Sequence, residues 1–177
     1  MAKHKVFLSF YHHDDEKYRR KFEEKFGHLM IIKSVHPGDI DPENGAEYIK
    51  RLIRDGYIED ASVVVVLVGP KTKCRKHVDW EISAGLNKKV GGYSGLMGIL
   101  LPAFPLTREN KYNGSDLPER LRANVDSGYA KLYNWDSITA SGGGLVQALD
   151  AAFGRRISAA DKIVNAPIPQ RQRNSCE

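Results

Sequence analysis

One glutamate stands where the surrounding pattern calls for an apolar side chain. In the stretch Pro70 to Lys88, Val78, Ile82 and Gly85 or Leu86 recur at three- and four-residue spacing, as on one face of a helix. Glu81 lies on that same face. A carboxylate buried without a partner is disfavoured in its charged form, so such a residue is usually paired or functional. The competing reading is a residue at the edge of the stripe, half in water, and spacing alone leaves both open. Gly85, one turn later, is expected to leave open space beside the carboxylate.

The elements around Glu81 follow from the apolar pattern. Ser62 to Val68 is a β-branched run closed by Gly69-Pro70, the signature of a buried, parallel strand. Lys5 to Phe10 is a first strand. Tyr11-His12-His13-Asp14-Asp15 then turns into a helix expected from Asp14 to Phe26, with Asp14 or Asp15 as N-cap, Gly27 as stop, and Tyr18, Phe22 and Phe26 facing inward. His-His-Asp-Asp resembles a metal-binding cluster in composition only; with no second ligand group at suitable spacing it is read as capping, and no metal is expected. Leu29 to Val35 is a second strand, followed by an irregular loop from His36 to Gly45 containing Pro37 and Pro42. A helix from Ala46 to Arg54 is expected, ended by Gly56. A fourth strand runs from Leu96 to Leu101, a short helix starts at Leu117-Pro118, a fifth strand lies within Tyr129 to Trp135, and a last helix spans Leu145 to Phe153. Ser141-Gly142-Gly143-Gly144 lacks the Lys-Ser/Thr ending of a phosphate-binding loop and is read as a connector.

Alternating strands and helices predict an α/β three-layer sandwich around a mainly parallel five-stranded sheet, flavodoxin-like in plan. Ligands of such sheets bind beyond the carboxyl ends of the strands. That rim would gather Phe10 to His13, the His36 to Gly45 loop and the Pro70 to Glu81 segment.

Composition sets limits. The net charge of +5 comes mostly from residues 155–177, where five basic residues face two acidic ones. Without an aromatic-interleaved basic stripe, nucleic acid is not the expected partner; a phosphate-bearing small molecule fits moderate basicity equally well. Residues 1–154 are read as one domain and 155–177 as a polar, basic tail with little drive toward order. Two cysteines, Cys74 and Cys176, make no disulfide framework, and a reducing, cytoplasmic setting is expected. Cys74, among Lys73, Arg75 and Lys76, is read as incidental. No apolar run approaches the ~20 residues that span a bilayer, so no membrane partner is expected.

The ordered motifs resemble the TIR (Toll/interleukin-1 receptor) domain family. Val6-Phe7-Leu8-Ser9-Phe10 followed by Asp14 is similar to that family's opening strand, the His36 to Gly45 loop stands in the place of its BB loop, and Val66-Leu67-Val68-Gly69-Pro70 resembles its buried strand. Glu81 falls at the spacing of its catalytic glutamate. His77-Val78-Asp79-Trp80-Glu81-Ile82 most resembles the TIR-like proteins of bacterial Thoeris anti-phage systems, as do Leu117-Pro118-Glu119-Arg120-Leu121 and Ser127-Gly128-Tyr129-Ala130. The family's Trp-Cys pair before the glutamate is His77-Val78 here.

The resemblance implies cleavage of the nicotinamide–ribose bond of NAD, with NAD as substrate and no further cofactor, giving ADP-ribose or a cyclic isomer that a separate effector protein senses. Glu81 would be the catalytic carboxylate. Phe10, Tyr11 and Trp80 are candidates to stack on adenine or nicotinamide, and His36 and the tail arginines to meet pyrophosphate. A homo-oligomer is a further expectation. The alternative is a non-enzymatic TIR-like interaction module. A receiver domain is disfavoured because Val68-Gly69-Pro70 offers no phosphoacceptor, and a flavodoxin because Tyr11-His12-His13-Asp14 is no flavin-phosphate loop.

Overall fold

The computed structural model describes residues 3–36, 38–41, 43–109 and 111–176. Pro37 and Pro42 of the expected loop, Asn110 and Glu177 lie outside the described residues. Five strands, β1 (Lys5–Ser9), β2 (Ile31–Lys33), β3 (Val63–Val68), β4 (Gly95–Leu100) and β5 (Lys131–Asn134), form one sheet in the order β2-β1-β3-β4-β5, with every pairing parallel. Successive side chains of a strand point to opposite faces, and the core divides accordingly. Phe7, Val64, Val66, Val68, Leu96 and Leu100 face one layer of helices, while Val6, Leu8, Val63, Val65, Leu67, Met97 and Ile99 face the other. Both faces are covered, which is why β3 and β4 are buried along their whole length.

The first layer contains α2 (Ala46–Leu52), α3 (Lys76–Gly85) and α4 (Glu119–Ser127). The second contains α1 (His12–Phe26), α5 (Trp135–Thr139) and α6 (Gly142–Ser158). The order in which strands are added reverses between β1 and β3, so the crevice beyond Ser9 and Val68 is the topological switch point of the sheet.

Several elements depart from the pattern-based expectation, each for a local reason. Helix α1 starts at His12, and its N-cap is extended Tyr11 rather than either aspartate. Asp14 and Asp15 occupy the first turn instead, where carboxylates favour a helix N-terminus. Gly56 does not end α2. The helix widens into a π-helical turn, Ile53–Ile58, and the i+5 period of that turn directs both Ile53 and Ile58 into the core. Tyr48 faces solvent while Ile49 is buried. The Gly142–Gly144 run is helical: Ser141 caps α6, its Oγ accepting the Gly144 N–H at 3.2 Å.

The largest departure lies past residue 154. No break occurs there, since α6 continues to Ser158, and the chain then returns across α4 and α3. Ala159 and Ile163 pack against the core, and hydrogen bonds order the rest of this polar segment. Arg120, fully buried, pairs with Asp79 (Nε to Oδ1 2.9 Å) and donates to the carbonyls of Asn165 (2.7 Å) and Ile168 (3.0 Å). Asn124 exchanges bonds with Val164 (2.8 and 2.9 Å), and Arg171 N–H donates to Asp79 (2.8 Å). The buried guanidinium requires several acceptors, and the returning backbone supplies them. The return also brings the Cα atoms of Cys74 and Cys176 to 4.9 Å, and the two form a disulfide across 102 residues. Cys74 is therefore not incidental. Among the described residues, no helix is long and apolar enough to cross a membrane.

Candidate active site

Glu81 sits in the middle of α3, and the returning chain buries the outward side of that helix as well as its sheet-facing side. The residue is 3% exposed. Its one hydrogen-bond partner among the described residues is the Ser9 hydroxyl, at the carboxyl end of β1, which donates to Oε2. No cation pairs with it among the described residues. Burial pushes its pKa up to about 8, partly opposed by the Ser9 hydrogen bond. The open space expected next to Gly85 is absent: a Cβ there would stand 2.7 Å from Val64 Cγ2, so this glycine serves close packing of helix on strand. The space is on the other side, toward the sheet's rim.

There a cavity of about 220 Å³ opens, lined by Glu81, Phe10, Tyr11, His12, His36 and Arg75, with Val35, Ile40, His77 and Val78 among its walls. Phe10 through His12 follow β1, Val35 and His36 follow β2, and Arg75 and His77 lead into α3. Three strand ends thus converge on one carboxylate. Phe10 stacks on the His12 ring with centroids 4.3 Å apart. The Arg75 guanidinium lies over the Tyr11 ring at 3.9 Å. Burial lowers the pKa of both His12 and His77, which keeps these rings neutral near pH 7. Arg75 is the cation at this cavity, above an aromatic and largely apolar floor.

The structure brings Glu81, Phe10, Tyr11 and His36 together, and separates Trp80 from them. Trp80 is one residue, about 100° of helix rotation, from Glu81. It is buried beneath the returning chain, its Nε1–H donating to the Arg171 carbonyl at 2.9 Å. It does not line the cavity and has no free face for a base. The tail arginines are also elsewhere: Arg171 N–H binds Asp79 and its guanidinium donates to the Ser175 carbonyl, and Arg173 borders a shallow groove away from Glu81. Of the His-His-Asp-Asp run, His13 pairs with Asp14 at the surface (2.6 Å) while His12 turns into the cavity.

Sequence reasoning did not single out Ser9, Arg75, His77 or Asn174. Ser9 carried a signal, a hydroxyl in an otherwise apolar buried strand. Asn174, which also lines the cavity, carried none, because its contact with α3 spans 98 residues.

Residues 7–104 match the family described as Thoeris protein ThsB, TIR-like domain. The chain belongs to this family. Every cavity residue named above except Asn174 falls within the matched span, so the Thoeris TIR-like match and the site coincide. Among solved structures, the chain is similar to the TIR domains of the activated Roq1 resistosome directly recognizing the pathogen effector XopQ, with 12% identity and a TM-score of 0.42 over 91% of this chain and 84% of that one. No curated protein sequence matches the chain.

Proposed function

We propose that this Thoeris TIR-like protein cleaves the nicotinamide–ribose bond of NAD, releasing nicotinamide and forming ADP-ribose or a cyclic isomer as an anti-phage signal read by a separate effector. The observation that carries the reading is Glu81 itself: a buried carboxyl without a cationic partner among the described residues, held by Ser9 and facing an aromatic-lined cavity at the switch point of the sheet.

The chemistry suits one acidic group. The nicotinamide of NAD is a cation and leaves as a neutral molecule, so its departure needs no general acid. The positive charge passes to the ribose, and an adjacent carboxylate stabilises that oxocarbenium-like centre or orients the ribose hydroxyls. Burial, by raising its pKa to about 8, favours the protonated Glu81 at neutral pH before substrate binds. A pyridinium entering beside it favours the ionised form, so substrate binding expels a proton and sets the charge where it is needed. Tyr11, half-buried at the cavity, offers ring surface for nicotinamide, while Phe10, buried and stacked on His12, forms its apolar floor. Arg75 and His36, at the mouth, suit the pyrophosphate, Arg75 through its forked donors.

The test is nicotinamide release from NAD, followed by chromatography with mass identification of the second product, for the wild type and Glu81→Gln. Release by the folded wild type and its loss in the folded variant, by roughly 100-fold or more for removal of a preorganised charge, is the expected result. A variant as active as the wild type refutes the role of Glu81, and an inert wild type that still binds other TIR domains identifies an interaction module.

A further inference from the structure

The cavity has one wall that does not come from the strand ends. Asn174, far along the returning chain, lines it, and its Oδ1 accepts the Lys76 N–H at the start of α3 (3.0 Å). Two residues on, Cys176 is joined to Cys74, which lies just before the cavity-lining Arg75. We infer that residues 174–176 are a lid at one edge of the Glu81 cavity, latched by the Cys74–Cys176 disulfide, and that reduction by a dithiol opens the cavity to a whole dinucleotide. The substrate named here rests on the NAD reading above; the lid does not.

Three features support the inference. First, the returning chain is held in two separate places. The Arg120–Asp79 pair and Trp80 grip it as far as Arg171, through buried partners. Beyond that point residues 172–174 are exposed, and the attachments are Asn174 to Lys76, Arg171 to the Ser175 carbonyl, and the disulfide. Opening the disulfide frees the end that borders the cavity and leaves the rest clamped.

Second, the latched cavity is small. Its volume of about 220 Å³ is below the roughly 300–1,000 Å³ of sites that enclose drug-sized ligands. That volume suits a nicotinamide ring and part of a ribose, not a whole dinucleotide.

Third, the disulfide is accessible from one side. Cys74 is buried, but Cys176 is exposed and borders a groove of about 200 Å³ lined by Lys73, Arg122 and Arg171 against Glu119. Cations beside a disulfide favour an approaching thiolate. The thiolate attacks Cys176 Sγ, Cys74 departs as a thiolate and takes up a proton, and the second thiol of the reductant displaces Cys176. Two protein thiols and one cyclic disulfide of the reductant result.

The experiment compares full-length protein, oxidised and then reduced with dithiothreitol, with thiols counted by alkylation and mass. Nicotinamide release is measured against NAD concentration, and amide exchange is followed at Lys76. Reduction is expected to lower KM for NAD about tenfold with kcat unchanged, as when a closed lid leaves about a tenth of the molecules competent. Cys176→Ser is expected to match the reduced form with or without reductant. Lys76 exchange, which uses no substrate, is expected to quicken while Asp79 to Ala84 stay protected. Equal KM in both forms, or a reduced form that loses activity, overturns the lid. So does alkylation of both cysteines before reduction. If neither form releases nicotinamide, the NAD reading fails, and Lys76 exchange decides the lid alone, unchanged exchange overturning it.

Discussion

Replacing Glu81 by Gln separates what the residue does for the fold from what it does for chemistry. In the native state burial pushes the carboxyl pKa from 4.5 up to about 8, whereas in the unfolded chain it titrates near 4.5. The raised native pKa means that wild-type stability, relative to a neutral side chain at this position, is whole below pH 4.5. It falls as pH rises, because the unfolded state loses its proton first, and the loss is complete once pH passes about 8. Each pH unit in that window is worth about 1.4 kcal/mol, so at pH 7 the accumulated penalty is about 3 kcal/mol. Glutamine carries none of it. Its Oε1 can still accept from Ser9, and any cost of the unpaired amide N–H group is the same at every pH. Urea unfolding of wild type and variant at pH 5, 6, 7 and 8 therefore yields a difference that grows in favour of Glu81→Gln with the stated slope. At pH 7 that corresponds to a Tm gain of roughly 6–12 °C for a chain of this size, less the amide cost. A difference that stays flat with pH would show that Glu81 is ionised and solvated in the native protein, and would refute the buried-carboxyl account.

Nicotinamide release should follow the same ionisation: kcat/KM is expected to rise with pH toward about 8, the value for the free protein, and kcat to level off at lower pH because bound pyridinium favours the carboxylate. Ser9→Ala removes the hydrogen bond that holds the Glu81 pKa down, so its pH–rate profile should move to higher pH with a stability loss of about 1–2 kcal/mol by urea unfolding. Arg120→Met leaves Asp79 buried without its cation and removes the donors to Asn165 and Ile168, so about 3–5 kcal/mol should be lost and limited proteolysis should cut after Lys162; an uncut, equally stable variant would contradict the clamp. Gly85→Ala pushes a methyl to within 2.7 Å of Val64 Cγ2 and should cost about 1–3 kcal/mol in the same unfolding assay while lowering nicotinamide release, because α3 must shift away from β3.

The sheet and the carboxylate were legible in the sequence because both are local patterns. The valine run from Val63 to Val68 declared a strand buried on two faces, and Glu81 declared itself by interrupting an apolar stripe. The convergence of Phe10, Tyr11, His36 and Glu81 followed from topology, since parallel strands put their carboxyl ends on one rim. What could not be read were contacts made across long stretches of chain. Residues 155–177 looked like a solvated tail because, beyond the end of α6 at Ser158, order comes largely from carbonyls reaching Arg120, and carbonyls are the same in every sequence. Trp80 looked like a platform for a base because its aromatic ring was visible and the chain covering it was not. Cys74 and Cys176 looked unrelated for the same reason.

The central claim is that NAD binds with its scissile bond against Glu81. A structure of the Glu81→Gln protein, reduced and soaked with NAD, tests it directly. The account predicts nicotinamide in the cavity beside Tyr11 and the attached ribose within hydrogen-bond reach of residue 81, roughly 2.6–3.2 Å. A dinucleotide bound elsewhere on the surface, or a cavity that stays empty at saturating NAD, would contradict it.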